Sequence, residues 1–452
     1  MKKTLTIFLV LILIGVIFAG CAKTTGIVSG TVTDKATGNP VPGAVVSIGG
    51  KTATSGSDGK YEVKDVAKGE QTLKITLKGY KDFSEKVTIE GGKTLTKDVI
   101  LTPVIKIGLV TDVGGRGDKS FNDSALRGLE AWGAGLKMVA GEGYQPLTDE
   151  EYNKSITEEA PDLIDRGIKK YDIEPLVLES KANEDYVPNL KKLADEGCKL
   201  VIGVGFMLTD AINEVAPQYP GTYFMLIDGF IENPPPNVVC YLFKEQEGSF
   251  LVGSLVGLMT KKNIVGFVGG MDLYIIHKFE YGYKAGVLTV NPKAKVLSGY
   301  TGNFTSADDG QKIAKQQFDA GADIVYHASG ACGIGVIKEA QARGEGFFAV
   351  GVDSDQDYMA PGRVLTSMIK HVDYAVWLSI DSVVNNTFKP GHVVLGVKEG
   401  GVGISPLKYT KDIIPTEVLN KVDTLKKMIS DGQIVVPDEK EPFEKFVPPT
   451  LP

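Results

Sequence analysis

Asp112, Ser120, Asn122 and Asp123 gather short carboxylate, hydroxyl and amide side chains in one stretch, VTDVGGRGDKSFNDSALRGLE, with the aromatic Phe121 among them. Such groups suit hydrogen bonding to a small, polar, uncharged or anionic ligand. The run before them, Ile105 to Val110, is short and apolar and reads as a buried parallel strand. A loop with Gly114, Gly115 and Gly117 follows, then a stretch predicted helical from about Phe121 to Met138. Strand, glycine-bearing turn and helix open a doubly wound sheet, which binds ligands at the carboxyl ends of its strands. Two phosphate motifs are excluded. A P-loop needs a glycine directly before Lys119-Ser120, where Asp118 stands, and the dinucleotide fingerprint needs one where Ser120 stands.

Chemistry-bearing residues recur at other predicted strand ends. Asp353 follows the run Phe347 to Val352, and Lys370 follows Val364 to Ile369, so an acid and a base meet at neighbouring strand ends. They form a ligand-binding pair or a structural salt bridge. Phe206 and Phe304 also follow strand ends and serve a cleft or the core. Asp210 sits where a helix begins, so it binds ligand or caps that helix. Asp308-Asp309 reads as a helix start. The four histidines, His277, His327, His371 and His392, lie far apart with no metal-ligand spacing. Hydrolysis needs a general acid–base group or a metal beside the substrate. The pocket acids have no histidine nearby in sequence, so binding without turnover, metal or cofactor is expected.

The elements that must position these residues alternate apolar strands with amphipathic helices from Val104 onward. Strands are predicted at Ile105–Val110, Pro175–Leu178, Leu200–Val204, Tyr223–Ile227, Val238–Phe243, Ile264–Val268, Lys295–Ser298, Ile324–His327, Phe347–Val352 and Val364–Ile369. Helix-length separations argue parallel sheets with helices on both faces. Two lobes of about five strands each, joined near residues 230–240 and again late in the chain, fit the length better than one sheet. The charged segment 137–172 interrupts this rhythm and reads as an insertion, partly helical over about 149–171.

The chain's beginning differs. Lys2 and Lys3 precede an apolar stretch from Leu5 to Gly20 that ends at Cys21, the pattern of a signal peptide. Cysteine after Ala19-Gly20 resembles a bacterial lipobox, with Phe18 in place of its usual leucine. An uncleaved anchor helix is the alternative, and both place the protein on the extracytoplasmic face of a membrane. Residues 26–102 combine frequent turn signals with period-two alternation, as in Leu73-Lys74-Ile75-Thr76-Leu77, and predict a small antiparallel β sandwich. Cys198, Cys240 and Cys332 lie in or beside apolar runs without CxxC spacing and read as buried thiols. A net charge of −7, more acidic once Lys2 and Lys3 leave with the leader, argues against nucleic-acid binding.

Two resemblances extend this reading. SGTVTDKATGNPVPGAVVSI, SGSDGKYEV and GEQTLKITLKGY resemble the carboxypeptidase regulatory-like domain, which implies a seven- or eight-stranded sandwich without catalysis, acting as a spacer or a carbohydrate- or partner-binding module. From 104 to about 400, TDVGGRGDKSFNDSALRGLE, VIGVGFMLTDAI, FMLIDG, VGFVGGMDLYIIHKFEYGYKAG, YTGNF, HASGACGIGV, VGVDSDQ and SMIKHVDYAV stand in the order of the basic membrane protein family. These are purine nucleoside receptors, the substrate-binding lipoproteins of ABC transporters. The resemblance implies an α/β type I periplasmic-binding fold, two doubly wound lobes on a hinge, preceded here by the all-β sandwich. It implies capture of inosine, guanosine or adenosine for a permease and ATPase. It carries over Asn122, Asp210, Gly330, Asp353 and Lys370 as ligand contacts. Phe206 and Phe304 would then stack on the base, Asn122 with Asp123 or Asp210 would read its edge, and Asp353 and Lys370 the ribose. Asp112 and Phe121 join them, and Cys21 carries the lipid. A sugar or signal-molecule receptor of the same fold, a signalling receptor without transport, and a surface nucleosidase are the alternatives.

Overall fold

The computed structural model describes residues 23–450. The leader and Cys21 lie outside the described residues. Within them, no helix is long and apolar enough to cross a membrane. The chain divides after Val104 into two compact units.

The first unit holds eight strands: β1 (Thr25–Asp34), β2 (Val45–Ile48), β3 (Lys51–Thr54), β4 (Lys60–Ala67), β5 (Gly69–Thr76), β6 (Phe83–Ile89), β7 (Thr94–Thr96) and β8 (Val99–Leu101). One sheet runs β3-β2-β5-β6; the other runs β4-β1-β7, with β8 also on β1. Pairing is antiparallel except that β1 runs parallel to β7 and β8, a departure from the wholly antiparallel expectation. Alternation sends Tyr61, Val63, Leu73, Ile75, Val87 and Ile89 inward to meet Val28, Val32 and Val46. Fully burying each aliphatic side chain stabilises by roughly 1.5–3 kcal/mol.

The second unit contains two six-stranded sheets. The first lobe uses β9 (Ile105–Val110), β12 (Ile173–Leu178), β13 (Leu200–Val204), β14 (Tyr223–Ile227), β15 (Val238–Phe243) and β21 (Gly391–Leu395), in the order β12-β9-β13-β14-β15-β21. The second uses β16 (Ile264–Gly269), β17 (Lys295–Tyr300), β18 (Ile324–Ala328), β19 (Phe348–Asp353), β20 (Val364–Lys370) and β22 (Val402–Ile404), in the order β17-β16-β18-β19-β20-β22. All pairs are parallel except β20 with β22. Near-continuous burial along β13, β18 and β20 is what a sheet covered on both faces requires. β21 and β22 escape the sequence pattern because they are short edge strands with mixed burial.

The chain crosses between lobes at Lys244, His371 and about residues 396–401. The first crossing falls later than the 230–240 expectation, since Val238–Phe243 is still paired in the first sheet. The predicted helix from Phe121 to Met138 is also shorter. It runs Phe121–Arg127, continues as a π-helical turn Gly128–Gly133, and gives way to β10 (Leu136–Val139). β10 pairs with β11 (Gly143–Pro146) in a hairpin that the charge-rich sequence hid. Of the segment expected to be partly helical over 149–171, the α-helix spans Asp149–Thr157. Thr148 and Glu151 cap its start reciprocally, and Pro161 opens a separate 3₁₀ turn ending at the left-handed Gly167. Tyr152, Ile156 and Leu163 seat this insertion on Trp132, Tyr374 and Trp377.

Candidate functional site

Every parallel strand that carries a candidate residue ends at one cavity of about 610 Å³, its mouth included. Asp112 follows β9; Gly205 and Phe206 follow β13; Asp228 follows β14. From the other lobe come Phe304 after β17, Ser329 and Gly330 after β18, Asp353 at the end of β19 and Lys370 at the end of β20. The helix Tyr274–Val290, after β16, adds Ile275, Ile276 and Phe279. Both lobes thus wall one interlobe site at the sheets' carboxyl edge.

On the first-lobe side, three acidic and amide groups lock together. Asp112 Oδ1 accepts from the Gly114 amide and from Asn122 Nδ2, both at 2.8 Å. Asp118 Oδ2 accepts from the Asn122 amide at 2.8 Å and from Asn122 Nδ2 at 3.0 Å. Both Asn122 side-chain hydrogens are therefore taken. Its Oδ1 is buried and takes no hydrogen bond from a described residue, and Asn122 is among the cavity's lining residues. Burial pushes the Asp112 carboxyl up to about 6, against the bonds from Asn122 and Gly114. Burial likewise raises Asp118.

On the second-lobe side, Lys370 is the central cation. Its Nζ lies 2.5 Å from Asp228 Oδ2 and 2.9 Å from Glu245 Oε1. Phe121, Phe243 and Phe279 surround it, with ring centroids 5.1, 5.0 and 5.6 Å from Nζ. Burial alone would lower its pKa, but Asp228, Glu245 and Asp353 outweigh that and hold the ammonium above its ordinary range. Glu245 is held below the usual carboxylate range because Lys278 and Lys370 overcome its burial, and Lys278 also pairs with it directly. Asp353 takes a hydrogen bond from the Ser120 hydroxyl across the lobe boundary, and burial pushes its carboxyl up to about 7 despite Lys370.

Glycines shape the aromatic wall. Gly330 adopts φ +55°, and a Cβ there would lie 3.0 Å from the Phe304 carbonyl oxygen. A Cβ on Gly270 would fall 2.1 Å from the Phe304 ring, so only a bare backbone lets that ring lie there.

Of the residues singled out in the sequence, Asp112, Phe121, Asn122, Phe206, Phe304, Gly330, Asp353 and Lys370 line the cavity. Asp123 and Asp210 do not belong to that lining. Asp123 accepts from the Gly117 and Lys119 amides at 2.7 and 3.1 Å and holds the loop. Asp210 is exposed in the first turn of the helix Thr209–Val215. Lys370 and Asp353 are neighbours by strand order, but the direct ion partners of Lys370 are Asp228 and Glu245. Asp118, Gly205, Asp228, Ile275, Ile276, Phe279 and Ser329 were missed. Asp228 had a legible signal, since it directly follows the apolar run Tyr223–Ile227 as Asp353 follows its own. Glu245 and Lys278, on different helices, had none. No histidine or cysteine is among the described cavity residues. His327 is buried against Gln356 and kept neutral at pH 7 by burial, which lowers it to about 4.

Two six-stranded α/β lobes with three crossings and an interlobe cavity at the strand ends define the type I periplasmic-binding class. Within that class, the family model for PnrA-like ABC transporter substrate-binding proteins matches residues 105–440, and the chain belongs to that family. Residues 27–102 match the carboxypeptidase regulatory-like domain. Basic membrane protein A of Borreliella afzelii is 34% identical over 346 residues, covering 76% of this chain and 94% of that relative. A Lactococcus lactis relative named ABC transporter nucleoside-binding protein BmpA is 31% identical over 351 residues, covering 74% and 90%. Among solved structures, a solute-binding protein of an ABC transporter system from Aeropyrum pernix aligns with a TM-score of 0.60 at 27% identity, covering 75% of this chain and 96% of that one.

Proposed function

We propose that this substrate-binding protein closes its lobes over a purine nucleoside and presents it to the permease and ATPase of an ABC importer, held to the extracytoplasmic face by a lipid on Cys21. The observation that carries the reading is that the cavity lining combines two chemistries. Phe121, Phe206, Phe279 and Phe304, with Ile275 and Ile276, provide the flat apolar surface a base requires. The Asp228 and Asp353 carboxyls and the Lys370 ammonium provide the acceptors and donor a polyhydroxyl ribose requires. Asn122 Oδ1, buried and unpaired among the described residues, suits a ring N–H or exocyclic amine. The Lactococcus relative's name agrees with this ligand class. No group of His, Cys, Asp and Glu among the described residues is placed to hold a metal. Capture without turnover suits this lining.

Calorimetric titration of the chain from Ala22 onward, refolded to remove carried ligand, tests the reading. Inosine, guanosine and adenosine should bind at micromolar concentration or tighter, with cytidine weaker and ribose silent. Ribose or glucose binding alone would make the protein a sugar receptor. Release of free base from inosine would make it a nucleosidase.

A further inference from the structure

A second cavity, of about 770 Å³ with its mouth included, lies between the insertion and the second lobe. Glu158 and Glu159 reach it from the end of the helix Asp149–Thr157, in the first lobe. Asp355, Asp357 and Tyr358 reach it from the loop after β19, and Lys408 and Tyr409 from the segment after β22, both in the second lobe. Glu159 lies 3.4 Å from Arg127, and Glu158 lies 3.4 Å from Lys408. Asp355 and Asp357 form no ion pair with a described residue. Asp357 is 4% exposed, and its Oδ2 is buried and takes no hydrogen bond from a described residue. Burial raises its carboxyl against the charge of Lys408 and the Lys408 and Tyr409 amides. Burial together with Asp357 pushes Asp355 up to about 7. A buried carboxylate oxygen without a donor is costly, and buried polar atoms are normally satisfied. Lys408 shows which group suits the pocket. Its ammonium sits beside Glu158 and 5.6 Å from the Tyr409 ring centroid, so one cation shares an acid and an aromatic face. Tyr358, 54% exposed, offers a second ring.

We propose that this pocket binds a linear aliphatic polyamine, with one ammonium on the Asp355 and Asp357 carboxylates and its chain across the tyrosine rings. An ammonium carries three N–H donors and a full charge, so it satisfies Asp357 Oδ2 and offsets two acids that otherwise repel each other. No group of His, Cys, Asp and Glu among the described residues is placed to hold a metal, so the acids suit a ligand whose charges are spread along a chain. Methylene links between its ammonium groups pack on Pro406 and the tyrosine rings. Because the walls come from both lobes, an occupant binds the closed arrangement better than an open one and stabilises it. This pocket shares no lining residue with the interlobe cavity, so the assignment does not rest on the nucleoside reading.

The test titrates spermidine, putrescine and butylamine calorimetrically into the full chain from Ala22 onward at pH 8, where the raised carboxyls ionise. Spermidine should bind at submillimolar concentration and raise the second unit's melting temperature. Butylamine, with a single ammonium, should bind about tenfold more weakly or worse, and putrescine between the two. Asp357→Asn is nearly isosteric and should weaken spermidine about tenfold or more, the scale of a hydrogen bond to a charged group. Tyr358→Ala removes an exposed ring and should weaken it about two- to fivefold, which decides the matter if Asp357→Asn fails to fold. Phe304→Ala, in the interlobe cavity, should leave spermidine affinity unchanged. Silence of wild type towards spermidine, or wild-type affinity in Asp357→Asn and Tyr358→Ala, would overturn the proposal. Equal affinity for butylamine would overturn it too, and loss of spermidine in Phe304→Ala would move the amine to the other cavity. Magnesium binding that Asp357→Asn removes, with spermidine silent, would make this an inorganic cation site instead.

Discussion

Replacing Lys370 by methionine removes the one cation in the described cavity lining and keeps most of its volume. The side chain is 2% exposed and its ammonium touches Asp228 and Glu245, with Asp353 felt through its charge. Glu245 retains Lys278, but Asp228 and Asp353 lose their main compensation. Breaking a buried ion pair by removing one partner costs about 3–5 kcal/mol. For a unit of this size, roughly 0.7 kcal/mol corresponds to one degree of melting temperature, so Lys370→Met should melt about 4–7 °C lower at pH 7.5. The loss arises from uncompensated acids, so adding Asp228→Asn should restore more than half of it. Differential scanning calorimetry on the single and double variants measures both, with the second unit's transition followed separately from the sandwich. An unchanged melting temperature, or a double variant no more stable than the single one, would refute the account of Lys370 as the counter-ion of buried carboxylates.

The acids themselves set a pH dependence. Asp353 and Asp112 are raised by burial to about 7 and about 6 from an unfolded value near 3.8, so between these limits the folded state binds more protons. Their contribution to stability is present at low pH and is lost as pH rises from about 4 to about 7, at up to ~1.4 kcal/mol per pH unit for each proton. Asp353→Asn should flatten that slope in urea melts from pH 4.5 to 7.5; an identical slope would contradict the Asp353 assignment. Phe304→Ala should weaken inosine by roughly 1–3 kcal/mol if the ring stacks on the base, with equal loss for every purine nucleoside in calorimetry. Inosine 5′-monophosphate should bind at least a hundredfold more weakly than inosine, since Asp112, Asp118, Asp228 and Asp353 outnumber the single lysine in the described lining. Comparable affinities in parallel titrations would show that the acids do not repel phosphate.

Periodicities are read directly from the residue order. Alternating residues in 26–102 set a sandwich, because one side of each strand must be buried and period two allows one answer. Continuous apolar runs from Ile105 to Ile369 set parallel strands, and the residues just beyond them were legible as cleft residues because a doubly wound sheet opens at its strand ends. Asp112, Asp353 and Lys370 were found that way, and Asp228 was equally findable. Tertiary structure alone decided the partners. Lys370 and Asp353 are strand neighbours in one lobe, yet the lysine pairs with Asp228 from the other lobe and with Glu245 on the helix after the first crossing. Those contacts span more than a hundred residues and depend on how two sheets approach, which no local period encodes. The same holds for Asn122. Its residue type allows donor and acceptor roles, and only the placement of Asp112 and Asp118 around its amide commits the nitrogen and leaves the oxygen unpaired among the described residues. The hairpin β10–β11 was hidden for a related reason: its residues stay partly exposed, so its strands carry no burial pattern to read.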